Sequence, residues 1–186
     1  AFDANGVPLD GLGYADTDGD ENAGDYNVEG REDVDVFGAS LFGRLDLDGM
    51  TLTSITAYEE VDRSTLEDTD ASPNDVLTAV YIEEPRQWSQ ELRIQSNDGD
   101  SLDWILGAFY FHDDLDTDSS SDLLRALRVP TDDNPTGFDP ANSIGLLRYP
   151  FTQTTESVAV FGQTDFRLGE TLTLTYMARV DTNYSE

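Results

Sequence analysis

Hydrophobic and polar residues alternate along six stretches of the chain, which have the composition of β-strands. The stretches cover residues 36–47, 50–61, 86–97, 101–112, 156–168 and 171–182. They are rich in Leu, Val, Ile, Phe, Tyr and Thr and contain no internal proline. Each runs to about ten residues or more, whereas strands of globular proteins usually have about 5–6. The pattern therefore predicts an all-β protein built from six long strands.

Charged side chains keep to one face of four of these strands. Taking every second residue, the apolar face comprises Leu41, Leu45, Leu47, Trp88, Leu92, Ile94, Val158, Val160, Phe166, Leu168, Leu172, Leu174, Tyr176, Ala178 and Val180. The opposite face carries Arg44, Arg93, Arg167 and Arg179. Gln90 interrupts the apolar face, and strand 101–112 is apolar on both faces. Because a soluble sheet with one solvated face alternates in the same way, this pattern leaves both lipid and a protein core open.

The connections between the predicted strands alternate in length. Tight turns rich in glycine and acidic or amide residues occupy 46–50, 97–101 and 168–170, whereas long connections occupy 62–85 and 113–155. Every second connection of an antiparallel up-and-down sheet lies at the same end of the sheet. Outer-membrane barrels show this asymmetry, with short periplasmic turns and long extracellular loops. The pattern predicts a segment of a transmembrane β-barrel with strand hairpins at 36–61, 86–112 and 156–182.

Two other stretches complete this prediction. Residues 1–35 are rich in glycine and acidic side chains and poor in apolar ones, so we expect a solvated acidic extracellular loop. Helical signals are confined to 119–128, where Ser121 or Asp122 can cap one or two turns.

Charge and composition narrow the partners of the protein. The chain has 186 residues and a formal net charge of −29, with ten arginines and neither lysine nor cysteine. Such acidity repels phosphates, so we expect no nucleic acid partner. No run of about 18 apolar residues is present, which excludes a transmembrane helix but not transmembrane strands. Because the chain begins at Ala1 without a methionine and ends directly after a strand-like run, we interpret it as a piece of a longer protein.

One acidic stretch resembles the start of a calcium-binding loop. Asp16, Asp18 and Asp20 alternate around glycine, and a hard cation needs several oxygen ligands from one short turn. The EF-hand pattern fails, because Glu21 stands in place of its glycine and Asn27 in place of its glutamate. Calcium binding and a solvated acidic loop are therefore both open for this segment.

The single histidine gives no catalytic pattern. His112 is followed by Asp113 and Asp114 at the end of a predicted strand. No nucleophile or second histidine accompanies it at the spacing of a catalytic triad or a zinc site. We expect a solvated side chain, no enzymatic activity and no cofactor.

Residues 87–114 (QWSQELRIQSNDGDSLDWILGAFYFHDD) resemble the β-barrel of TonB-dependent outer-membrane receptors. In that family a strand ending in Ser-Gln-Glu-Leu-Arg meets a short polar turn, a Trp-x-x-Gly-x-aromatic-aromatic strand and an acidic outer loop. The phrases at 52–63 and 157–181 are similar to an upstream strand and a later hairpin of the same barrels. Together these phrases cover about half of the chain, in the order that the family has them.

The resemblance implies the function of a receptor rather than that of an enzyme. It implies a barrel of about 22 strands with a plugged lumen, located in the outer membrane of a Gram-negative bacterium. A scarce nutrient, with a ferric siderophore as the leading candidate, would be captured outside and taken up with energy from the TonB complex. We find neither a plug domain nor a TonB box in these residues, and six strands cannot close such a barrel. The alternative from the residues alone is a secreted calcium-binding β-sandwich that acts as a binding module.

Overall fold

The protein is all-β, with six strands in one antiparallel up-and-down sheet. The computed structural model describes residues 4, 6, 9, 12–17, 20, 24–97, 99, 101–127 and 145–186. The strands are β1 (Arg31–Leu47), β2 (Met50–Asp68), β3 (Leu77–Ser96), β4 (Leu102–Leu123), β5 (Leu146–Leu168) and β6 (Leu172–Ser185). They follow one another in the sheet in sequence order, so β1 and β6 form its two edges. The prediction of an all-β chain with six antiparallel strands is confirmed.

The tight turns lie where the sequence predicts them. β1 ends at Leu47 and β2 begins at Met50, while β5 ends at Leu168 and β6 begins at Leu172. Gly49 and Gly169 have φ angles of 75° and 79° in these turns. Glycine adopts this left-handed conformation without the steric penalty that a Cβ atom brings. The glycine positions therefore fix where these strands end.

At their other ends the strands extend beyond the predicted spans. The predicted loops 62–85 and 113–155 are wrong in their extent, because residues 62–68, 77–85, 113–123 and 146–155 belong to strands. β1 likewise begins inside the segment 1–35, at Arg31. In the extensions at 62–65 and 116–122 polar residues fill both faces, so the alternation that reveals a half-buried strand is missing there.

Two prolines also make the extensions difficult to recognise as strands in the sequence. Pro85 lies within β3 and Pro150 within β5. A proline removes one donor from the hydrogen-bond ladder, but its φ angle near −65° lies inside the extended region, so the strand continues.

The helix predicted at 119–128 is also wrong in part, because its first five residues belong to β4. In the described part of this segment, up to residue 127, the helical structure is a 3-10 turn at Arg125–Leu127.

The chain divides into two compact units. The first comprises residues 1–35, 62–83 and 117–151, and the second comprises residues 36–61, 84–116 and 152–186. Among the described residues the buried hydrophobic side chains are only Ala79, in the first unit, and Ala159, in the second. Within the same part of the chain, no helix has the length and hydrophobicity to cross a membrane. Neither unit therefore buries a large hydrophobic side chain in its described part.

Candidate functional site

The register of β5 and β6 brings the apolar residues of both strands onto one face of the second unit. The cross-strand pairs on this face include Val160 with Val180, Gly162 with Ala178, Phe166 with Leu174 and Leu168 with Leu172. The intervening pairs, such as Asp165 with Thr175 and Arg167 with Thr173, lie on the opposite face. The two apolar faces that the sequence predicts for these strands therefore coincide.

Side-chain contacts between neighbouring strands show that this face continues onto the other four strands. The rings of Trp88 and Tyr110 lie 5.3 Å apart, and the Tyr110 hydroxyl donates to Glu156 at 2.8 Å, which links β3, β4 and β5. The rings of Phe37 and Tyr58 lie 6.4 Å apart and link β1 to β2. We call this surface the apolar face, and its main residues are Phe37, Leu41, Leu45, Tyr58, Trp88, Leu92, Leu106, Tyr110, Val158, Val160, Phe166, Leu168, Leu172, Leu174, Tyr176, Ala178 and Val180.

The apolar face is exposed on every strand except β2, where Tyr58 is half-buried. Leu41 is 71% accessible to solvent, Tyr176 67% and Val180 73%. Contiguous exposed apolar surface of this kind marks a site that contacts another apolar surface, whether protein or lipid. The face is therefore the main candidate for the functional surface of the second unit.

Gln90, which interrupts the apolar alternation, has its hydrogen bonds satisfied on that face. Its amide nitrogen donates to Ser54 Oγ and to the carbonyl of Glu91, both at 3.0 Å. Its amide oxygen accepts from the Thr56 hydroxyl at 2.6 Å. A polar group in an apolar environment is tolerated when its donors and acceptors are paired. The three side chains of Ser54, Thr56 and Gln90 thus form a self-contained polar cluster.

The opposite face of the second unit carries paired charges. Arg44 pairs with Asp46 at 2.9 Å, Arg93 with Glu91 at 3.5 Å, Arg179 with Asp181 at 2.6 Å, and Arg167 with Asp103. The four arginines that the sequence predicts on the polar face each lie beside a carboxylate there. Pairs this exposed contribute about 0–1 kcal/mol to stability, so their main effect is to balance charge on the polar face.

Phe161 explains why the strand around Gly107 is apolar on both faces. A Cβ atom added to Gly107 would lie 2.2 Å from Cζ of Phe161, so the aromatic ring rests directly on the glycine backbone. Phe161 pairs with Arg179 and therefore lies on the polar face. The ring covers Gly107, which is buried, so at this position the second apolar surface of β4 is a local aromatic contact.

His112 lies within β4 and belongs to a hydrogen-bonded cluster at the margin of the apolar face, where the sequence predicts a solvated side chain at the end of a strand. Its Nε2 lies 2.9 Å from Asp114 Oδ2 and its Nδ1 3.4 Å from Glu156 Oε1. The Thr154 hydroxyl donates to the other oxygen of Asp114 at 2.7 Å. Asp113 faces the other way along the strand. The cluster links β4 to β5 through polar contacts just beyond the aromatic pair Trp88–Tyr110.

Thr154→Val is expected to raise the pKa of Asp114. This residue lies beyond the predicted membrane-spanning residues 101–112, and the hydrogen bond from Thr154, followed by that from His112, lowers the pKa of its carboxyl. Because the pKa of Asp114 is lowered in the folded protein, its ionised carboxyl stabilises the fold at pH values above its ordinary pKa of 3.8. This stabilisation is lost as the pH falls through the lowered pKa. Carboxyl carbon NMR titration should show the increase, while Thr155→Val, on the opposite face, should leave the titration unchanged. Equal titrations in all three proteins would contradict the assignment.

The predicted calcium loop lies partly outside the described residues. The structure describes Asp16 and Asp20, but Asp18 and Glu21 are outside the described part. Within the described part, no group of three or more acidic or histidine side chains is placed to hold a metal ion. The hypothesis of a calcium site at these three aspartates therefore stays a prediction.

Comparisons with known proteins identify no relative. No family model, curated protein or solved structure matches the chain. The features of the described residues that bear on function are therefore the apolar face, the polar face and their acidic surroundings.

Proposed function

We propose that the chain forms part of the β-barrel of a TonB-dependent outer-membrane receptor. The observation that carries the proposal is the apolar face, which is exposed on five of the six strands of the second unit, while β2 contributes the half-buried Tyr58. In a bilayer this face would contact lipid, where every backbone group of a strand must be paired with a neighbouring strand. The arginines and carboxylates of the polar face would then line the lumen of the barrel.

Two further observations support lipid as the apolar surrounding. The aromatic residues Trp88, Tyr110, Phe37 and Tyr58 lie together toward one margin of the apolar face, as in the aromatic girdle of membrane barrels. The polar cluster of His112 and Asp114 follows directly beyond them, where a membrane–water interface would begin. A soluble β-sandwich would instead cover the apolar face with a second sheet, and the described residues form only one sheet.

In this role the chain would serve the uptake of a scarce nutrient, with a ferric siderophore as the leading candidate. The acidic connections would face outward, and the remaining strands, the plug and the contact with the TonB complex would come from parts of the receptor beyond these residues. The proposed location is the outer membrane of a Gram-negative bacterium.

The chain is expected to be monomeric only in detergent. Without detergent the apolar face has no apolar partner, so the protein should self-associate, while a non-ionic detergent should restore a monomer with β-sheet circular dichroism. Sedimentation velocity above and below the critical micelle concentration measures the difference. A compact monomer that melts cooperatively in detergent-free buffer would contradict the proposal, and stabilisation of that monomer by calcium would favour the secreted binding module.

A further inference from the structure

A cavity in the first unit lies between the segment 24–32 and the end of β2. Its volume is about 730 Å³, within the range of about 300–1,000 Å³ that small-molecule sites occupy. Its lining residues are Gly24, Tyr26, Val28, Glu29, Gly30, Arg31, Glu32, Thr65, Leu66, Glu67 and Asp68. The cavity is independent of the apolar face, because all of these residues belong to the first unit.

Asp68 forms a buried part of the cavity wall. Only 8% of the residue is accessible to solvent. Its Oδ2 accepts hydrogen bonds from the backbone N–H groups of Asn27 at 2.9 Å and Val28 at 3.2 Å. Its Oδ1 is buried and has no hydrogen-bond partner in the described structure. A buried carboxylate that is balanced only by two backbone amides is unfavourable, so a cation held in the cavity beside Asp68 would gain affinity from its negative charge.

The charge of the lining residues determines whether the cavity attracts a positively or a negatively charged ligand. Four of its side chains are acidic and one, Arg31, is basic. Arg31 already pairs with Asp33 at 2.8 Å, and nearby Arg63 pairs with Glu32 at 2.6 Å and with Glu83 at 3.3 Å. The hydrogen bond to Glu32 raises the pKa of Arg63, which keeps Arg63 positively charged. The cavity therefore keeps a net negative lining, which attracts cations and repels anionic chelates.

The aromatic ring of Tyr26 indicates an organic cation rather than a bare metal ion. The ring folds over Gly24, where an added Cβ atom would lie 2.6 Å from Cζ of Tyr26. An ammonium or guanidinium group is attracted both by an aromatic face and by a carboxylate. A metal ion instead needs several oxygen ligands that converge on one point, and the carboxylates of this lining do not form such a group among the described residues.

We propose that this cavity binds an organic cation with primary or secondary amine groups, held by Asp68 and by the ring of Tyr26. The binding site itself does not require the chain to span a membrane. Only the further step, that the captured nutrient of the receptor is cationic, rests on the proposed function. In that case the ligand would be an amine-bearing molecule and not an anionic ferric chelate.

Calorimetric titration of the chain with spermidine, in non-ionic detergent and about 0.15 M salt, tests the proposal. We expect saturable binding to one site, weakened about tenfold or more by Asp68→Asn, which removes the charge but keeps an oxygen acceptor for the two amides. Tyr26→Leu should weaken binding by about twofold to fivefold. Asp62→Asn, an equal loss of charge at an exposed residue outside the lining, should leave the affinity unchanged.

Three results would overturn the proposal. These are the absence of saturable heat with spermidine, an equal loss of affinity in Asp62→Asn and Asp68→Asn, and saturable heat with calcium chloride that spermidine does not compete for. If circular dichroism shows that Asp68→Asn alters the fold, Tyr26→Leu decides the question, because it leaves the carboxylate and its amide partners in place. A failure here leaves the detergent dependence of the chain untouched, so the two proposals fail separately.

Discussion

Ala178→Arg is expected to lower the free energy of unfolding of the bilayer-inserted chain by about 2–4 kcal/mol, the cost of an arginine facing lipid near the midplane. Ala178 pairs with Gly162 on the apolar face and lies in the middle of the predicted spanning residues 171–182. Met177→Arg is the matched control, because the neighbouring residue pairs with Gln163 on the polar face. There the new arginine would meet the carboxylate-rich surface, so we expect a change of less than about 0.5 kcal/mol.

Denaturant unfolding in phospholipid vesicles measures both variants, followed by the fluorescence of Trp88 and Trp104. Equal losses of stability in the two variants would contradict a lipid-facing apolar surface. A large loss in Met177→Arg with none in Ala178→Arg would reverse the assignment of the two faces. The comparison therefore tests the orientation of the sheet and not only its tolerance of an added charge.

Gly107→Ala is expected to destabilise the second unit by about 1 kcal/mol, at the low end of the cost of overpacking. The added methyl group would lie 2.2 Å from the far edge of the Phe161 ring, so the ring must swing away and lose its contact with β4. Gly162→Ala is the control, since the nearest atom there is the carbonyl oxygen of Ile105 at 3.4 Å.

A double-mutant cycle separates this contact from the strand propensity of alanine. In a Phe161→Ala background the cost of Gly107→Ala should fall to near zero or become a gain, because the ring is gone and alanine is the more favourable strand residue. The measurement is the midpoint of denaturant unfolding of the four proteins in one detergent. An unchanged cost in that background would show that Phe161 does not limit the space at Gly107.

The features that the sequence reveals are those with a local signal. Gly49 and Gly169 mark the tight turns because a left-handed φ angle needs glycine, and the positions of Arg93 and Arg167 reveal the face because strand side chains alternate. The extensions of the strands have no such signal. Around Pro85 and Ser119 the residues are polar on both faces, and their strand conformation comes from pairing with neighbouring strands.

The candidate sites are formed by residues that are far apart in the sequence, and a single sequence does not reveal which of these residues are in contact. Gln90 looks like a defect until Ser54 and Thr56, 36 and 34 residues away, are found to satisfy its amide. In the sequence Asp68 is one acidic residue among many, and only the structure shows that it is buried and accepts hydrogen bonds from Asn27 and Val28, about 40 residues earlier. Because acidic residues are so numerous in the sequence, neither the cavity nor Asp68 could be recognised from it.

The polar cluster of Ser54, Thr56 and Gln90 also bears on how β2 and β3 find their correct alignment. A tight turn dictates which residues of a hairpin face each other, but these two strands are joined by residues 69–76, which are too many to impose one alignment. A shift of one strand by two residues would keep every apolar side chain on the same face and would therefore meet no hydrophobic penalty. It would, however, move the amide of Gln90 away from at least one of its two hydroxyl partners, Ser54 and Thr56. The cluster thus disfavours a two-residue shift in the register of β2 and β3, which the burial of apolar side chains alone would not disfavour.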